Sequence, residues 1–236
     1  TIEDGDGDRS TTTLTFTIKD SGLTTTPDDP NGAAAPGNIT VNEFALASGS
    51  NAASTTETAA GTLSASGGTG PYSYAISGSG TGSFGTMTIG AGGSYSYTLT
   101  KATTDLVGNE TETFTYTATD ALGNTATNTV TVNITDDVPT AVADTATITE
   151  GTTSTVAVAS GVLSNDVLGA DLGKTGGAVV GVKAGNSGTE VTTGVASNIT
   201  GTFGTLTLSA DGSYKYVANA NAVSAAGGTD RPRKGE

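Results

Sequence analysis

The sequence predicts an all-β chain built from antiparallel β-sandwich modules in tandem, and three observations carry that prediction. Apolar residues alternate with Thr at a period of two through most of the chain, the pattern of strands buried on one face. Short Gly, Asn and Asp turns separate these runs at the spacing of antiparallel neighbours. The chain also repeats itself: GSFGTMTIGAGGSYSY (82–97) returns as GTFGTLTLSADGSYKY (201–216), 119 positions later with ten of sixteen residues identical. A second match lays TIEDGDGDRSTTTLTFTIKD (1–20) over TATDALGNTATNTVTVNITD (117–136) at an offset of 116. Self-similarity over about 120 residues marks whole small domains in series.

The elements follow in order. Residues 1–20 read as the closing hairpin of a preceding, or neighbouring-chain, repeat, with a half-buried strand over 13–18 (TLTFTI). Residues 21–38 carry Pro27, Pro30 and Pro36 and no periodicity, so they read as a linker or an irregular lead-in loop. A complete repeat runs over 39–136, with strands expected at 94–99, 113–117 and 129–134 and turns at 90–93 and 121–124. Residues 137–143 form a junction stiffened by Pro139. A second repeat runs over 144–230, with a strand at 205–208 and a turn at 210–212. It has no counterpart of the closing hairpin at 112–136, and 231–236 is a non-repeat tail.

Composition narrows the function. Thr and Gly dominate and aromatic residues make up 5% of the chain, so each module buries little. A thin core must still offset about 1 to 2 kcal/mol of backbone entropy per residue, which favours support from a metal, a partner or a neighbouring module. The net charge of −14 opposes binding to nucleic acid or to an anionic membrane and makes cations the natural counterpart. No apolar run reaches the roughly 18 residues of a membrane span. With no His and no Cys the usual proton-transfer and nucleophilic groups are missing, so an enzyme is not expected. The GTGSFG run at 80–85 fits the dinucleotide glycine pattern only formally, since it precedes a strand rather than a helix. Gly173-Lys174-Thr175 lacks the first glycine of a phosphate loop, with Leu168 in its place.

Acidic clusters are the stronger signal. Asp4, Asp6 and Asp8 alternate in a Gly-containing turn, a spacing that suits a hard cation as well as a solvated hairpin turn. The matching turn keeps Asp120 and Asn124 only, and there the plain turn is favoured. At the junction, Asp136 and Asp137 end one repeat and Asp144 begins the next, so carboxylates of two modules meet and repel unless a cation neutralises them. Glu150, Asn165 and Asp166 are candidates to face that seam, and Asp20, Asp28 and Asp29 hold the equivalent place upstream. The Asn-x-Thr sites at 38, 109, 133 and 198 carry little weight in so Thr-rich a chain. The pairs Tyr72/Tyr74, Tyr95/Tyr97 and Tyr214/Tyr216 sit at strand spacing and read as core; exposed in a row, they would instead suit a glycan.

Taken together, GTFGTLTLSADGSYKY, FTYTATDALGNTATNTVTVNITDD, GVLSNDV and TIEDGDGD resemble the Ig-like VCBS and cadherin-like tandem repeats of giant RTX-type bacterial surface adhesins secreted by type I systems. The resemblance implies Ig-like extender modules on the bacterial cell surface, calcium at the interdomain seams, and a role in holding an adhesive domain away from the cell, in biofilms for example. Matched residue by residue, it puts linker acids at Asp136, Asp137 and Asp144 and the acidic turn at Asp4, Asp6 and Asp8. The expected partners are adjacent repeats of the same protein. The out-of-register ends add another possibility: residues 1–20 of one copy completing the C-terminal module of the next, head to tail. The plainer reading is that the ends fall in mid-repeat.

Overall fold

Alternation of Thr with apolar residues does produce strands wherever a second sheet is present to receive the apolar face. The computed structural model describes residues 1–16, 22–28, 38–103, 109–173, 175–185 and 188–220. Among these lie β1 (Ile2–Glu3), β2 (Arg9–Ser10), β3 (Thr24–Pro27), β4 (Ile39–Asn42), β5 (Thr58–Ser66), β6 (Ser73–Ile76) and β7 (Gly85–Ile89). They continue with β8 (Ser94–Leu99), β9 (Asn109–Thr119), β10 (Thr125–Thr135), β11 (Thr153–Val156), β12 (Asn198–Thr200), β13 (Gly204–Leu208) and β14 (Tyr214–Ala218). Two short 3-10 turns, Glu43–Ala45 and Val158–Ser160, are the only helical elements among the described residues. The fold is all-β.

Residues 24–135 make one sandwich. Its first sheet runs β4-β10-β9-β6 and its second β3-β5-β8-β7, antiparallel except for the parallel pair β4–β10. Along β10 the even positions Val130, Val132 and Ile134 are buried, while Thr129, Thr131 and Thr135 are only half-buried. They meet Met87, Tyr95, Tyr97 and Leu99 from the second sheet in one core. Tyr97 and Phe114 cross it with ring centroids 5.8 Å apart and planes tilted by 53°, within the range of favourable aromatic pairs. The predicted turns at 90–93 and 121–124 join β7 to β8 and β9 to β10, and the turn at 210–212 joins β13 to β14. Tyr74, Tyr95 and Tyr97 are core residues.

A glutamate is built into this core. The inward face of β9 runs Glu112, Phe114, Tyr116, Ala118, and Glu112 is buried. Its Oε1 accepts the Phe84 backbone N–H at 2.8 Å and its Oε2 accepts the Tyr97 hydroxyl at 2.6 Å. Burial, reinforced by that carboxylate, pushes the Tyr97 hydroxyl far above its usual pKa.

Two expectations need correction. The stretch 21–38 is not all linker or loop: Thr24–Pro27 forms the edge strand β3, paired antiparallel with β5 from Thr24↔Ser66 to Pro27↔Leu63. Sequence periodicity missed it because its buried position is a threonine. The Thr25 hydroxyl donates to the Ser64 carbonyl at 2.8 Å and lies within hydrogen-bond distance of the Tyr116 hydroxyl at 3.2 Å, while the Asn128 side-chain amide donates to the Thr25 carbonyl at 2.8 Å, so the strand is tied to both sheets. Conversely, the half-buried strand expected at 13–18 is absent through Phe16: residues 11–16 join no sheet and are exposed. Positions 17 and 18 lie outside the described residues. Alternation gives a strand its face, and burial requires something packed against that face.

The second repeat contributes the single sheet β11-β14-β13-β12. Among the described residues of 144–220 there is no second sheet.

Replacing Tyr97 with Phe leaves Glu112 Oε2 buried without its donor. Such a group costs about 1 to 3 kcal/mol, so urea unfolding of Tyr97→Phe should show a loss of that size with an unchanged m-value.

Candidate metal centre

The alternation that builds the core runs on past its end. Inward positions of β4 are Ile39 and Val41, and the next on that face is Glu43; inward positions of β10 are Val130, Val132 and Ile134, and the next is Asp136. The parallel pairing Ile134↔Val41 and Thr135↔Asn42 carries the register straight to Asp136 and Glu43. Two carboxylates thus emerge side by side at one end of the sandwich.

A third comes from the next repeat. The loop 166–171 clamps onto the junction: Thr140 and Val167 exchange two backbone hydrogen bonds, of 2.7 and 3.0 Å, and Asp166 Oδ1 accepts the Val142 N–H at 2.7 Å. Gly169 adopts φ +78°, and a Cβ there would lie 2.0 Å from the Asp137 carbonyl oxygen, so only glycine allows this approach. Ala170 is buried against the sandwich core, its carbonyl accepting the Ser48 hydroxyl at 3.0 Å. Asp171 follows directly. One carboxylate oxygen each from Glu43, Asp136 and Asp171 lies within 4.8 Å of the others.

Glu43 is fully buried, at 0% exposure. Its Oε1 accepts the Thr103 N–H at 2.6 Å, whereas its Oε2 is buried with no hydrogen-bond partner. Buried carboxylates are normally paired or coordinate metals. The donor set is all oxygen, which suits a hard divalent cation such as calcium or magnesium, and the chain has no His or Cys for a softer metal. Asp136 was expected at this seam; Glu43 and Asp171 were not.

The other expected ligands are placed elsewhere. Asp137 points the opposite way from Asp136 and is buried, its two oxygens accepting the Ser50 N–H at 2.7 Å and the Ser50 hydroxyl at 2.6 Å. Asp144 is exposed and belongs to neither acidic cluster found among the described residues, and Glu150 is also exposed. Asp28 locks β3 to β5, its carboxylate accepting the Thr62 N–H at 2.8 Å, the Thr62 hydroxyl at 2.7 Å and the Tyr95 hydroxyl at 3.1 Å. Asp20 and Asp29 lie outside the described residues.

Asp4, Asp6 and Asp8 do cluster within 4.8 Å, fully exposed. Their turn repeats the hydrogen bonds of the Asp120 turn. Asp4 N–H donates to the Asp8 carbonyl as Asp120 N–H does to that of Asn124, and Asp4 Oδ1 accepts the Asp8 N–H as Asp120 Oδ1 accepts that of Asn124. A hydrogen bond with Asp6, followed by the Asp8 N–H, draws Asp4 below its usual pKa. Asp120 is satisfied more completely. Besides the Asn124 N–H its carboxylate accepts the Asn124 amide, the Leu122 N–H and the Thr69 N–H, all at 3.0 Å. Led by the Asn124 side chain, these donors bring its pKa down to about 2. A carboxylate with four donors has little left for a metal.

Comparison with protein-family models and with curated proteins finds no match. No helix among the described residues is long and apolar enough to cross a membrane.

The Asp120 turn gives a pH prediction. With its pKa lowered from 3.8 to about 2 in the folded state, its stabilisation is complete above pH 4 and is lost as pH falls towards 2. Thermal unfolding between pH 5 and pH 2 should therefore decline less steeply in Asp120→Asn than in the unsubstituted chain.

Proposed function

We propose that the chain is a calcium-stiffened structural extender from a bacterial cell-surface or biofilm adhesin. The observation that carries this reading is the grouping of Glu43, buried and with its Oε2 unpartnered, with Asp136 and Asp171, acids contributed by both sides of a repeat junction. Carboxylates this close repel by about 3 kcal/mol per pair at an effective dielectric near 20. A divalent cation turns that repulsion into a tie. Glu43, Asp136 and Asp171 would hold it, supplying three of the six to eight oxygens calcium takes, and the Gly169–Ala170 contact would set the spacing. Extender work needs this: a string of thinly cored modules transmits load only if its junctions do not bend.

The reading also gives the parts their roles. Adjacent repeats are the partners, no chemistry is asked of the chain, and the location is extracellular, where calcium modules bind at roughly 10⁻⁴ to 10⁻³ M. A glycan-binding role has less support, because Tyr74, Tyr95 and Tyr97 are spent on the core.

The test is a calcium titration followed by thermal unfolding and small-angle scattering. Calcium at a hundred times its Kd should add about 2.7 kcal/mol of stability, a rise of roughly 5 to 10 °C for a chain of this size, and should narrow the distribution of dimensions. Glu43→Gln and Asp171→Asn should lose both responses, and Asp144→Asn should keep them. Identical unfolding and scattering with calcium and with chelator would refute the proposal.

A further inference from the structure

The strand β9 outruns one of its neighbours. It has eleven residues and β10 pairs with all of them, whereas β6 pairs only with Tyr116–Thr119 and adds one bond beyond, from the Ser77 N–H to the Thr115 carbonyl at 2.8 Å. At Gly78, with φ +101°, the chain turns away, and over 111–115 β9 is the edge of its sheet.

Register decides which way the peptide groups of that edge face. Thr131 stands opposite Thr113 and spends its own N–H and C=O on Asn38, on the β4 side. The Thr113↔Thr131 pair therefore exchanges no backbone hydrogen bond, and the N–H and C=O of Thr113, like those of Thr111, point to the open side. No backbone group among the described residues meets them. The edge of the second sheet is treated differently: on β7 the Met87 N–H donates to the Gly80 carbonyl at 2.7 Å, and Thr81 bridges to Thr86. An edge left open, with no lysine or proline on it, is a template for another strand.

A groove of about 430 Å³ runs beside this edge, lined by Ser79 and Ser83 of the 77–84 loop and by Thr111 and Thr113. Glu112 is the one charged side chain in that lining. It fastens the loop through the Phe84 N–H, and each of its oxygens has a single donor, which leaves capacity to accept more.

We infer that the groove takes an extended segment of a partner protein as an added strand, antiparallel to β9 and in line with β6, with hydroxyl residues opposite Thr111 and Thr113 and a cationic residue between them beside Glu112. The Thr111 and Thr113 backbone gives the hydrogen bonds, and the side chains give the choice of segment. Hydroxyl residues repeat a pairing already made across this edge, where the Ser77 and Thr117 hydroxyls lie 2.7 Å apart. A cation answers the charge in the groove and suits a chain of net charge −14. This goes beyond the repeat junction and does not depend on it, since Glu43 follows β4, at the opposite edge of the same sheet.

The experiment is amide hydrogen exchange read by NMR on the full chain in chelator, with the capped peptide Thr-Thr-Thr-Lys-Thr-Thr-Thr as probe. The Thr111 and Thr113 amides should exchange fast in the free chain and slow by about tenfold, with saturation, as peptide is added. Replacing the peptide's lysine with aspartate should weaken binding by about tenfold. Thr113→Pro removes a donor on the open side only, and Thr111→Lys with Thr113→Lys places repelling charges on two exposed positions. Either should abolish the protection with an unchanged circular dichroism spectrum, and the lysine pair decides if the proline variant misfolds. Thr111 and Thr113 amides already protected in the free chain overturn the inference, as do equal protection by the aspartate peptide, full binding by the lysine pair, and protection by a glucan oligosaccharide but not by the peptide.

Discussion

A fully buried carboxylate with one oxygen unanswered is the constraint on which the junction depends. Glu43 stands at the end of the sandwich core, holds Thr103 with one oxygen, has the other buried without a partner, and groups with Asp136 and Asp171. Leaving such a group without a partner is costly. Everything around it limits its escape: β4 and β10 fix Glu43 and Asp136 by register, and the 166–171 loop is seated by the Thr140–Val167 bonds, by Gly169 against Asp137 and by Ala170 in the core. In the function proposed above, a cation would answer the oxygen and join the two repeats in one step.

The remaining acids show how differently carboxylates behave in the same chain. Asp28, Asp120 and Asp137 are consumed by N–H and hydroxyl donors and fasten turns and edges. Glu112 does the same inside the core, between the Phe84 amide and the Tyr97 hydroxyl. In a protein with so few aromatic and aliphatic side chains, these satisfied carboxylates replace part of the packing that a richer core would supply, which accounts for acidic residues in positions that composition alone would assign to solvent.

Much of the fold was legible in the sequence because a period of two leaves little choice. The runs at 94–99, 113–117, 129–134 and 205–208 are strands, with turns where Gly and Asn stand. Where alternation failed, the reasons are physical. Thr25 occupies a buried site that pattern reading reserves for apolar residues, its hydroxyl satisfied by Ser64 and Tyr116. Leu14 and Phe16 keep a perfect alternation, but burial needs a packing partner as well as a pattern, and both side chains are exposed. The site was half legible. Asp136 could be named because acids gather at the junction, and the pattern Ile39, Val41, Glu43 already placed Glu43 on the same face had the alternation been followed one step further. Asp171 carried no signal, since only the folded 166–171 loop brings it to the seam.

The most direct measurement is a crystal structure of the chain grown in millimolar calcium. The account predicts a peak between Glu43, Asp136 and Asp171, with their oxygens about 2.3 to 2.6 Å away and Glu43 Oε2 among them. Density showing Glu43 Oε2 hydrogen-bonded within the protein and no ion among the three carboxylates would contradict it.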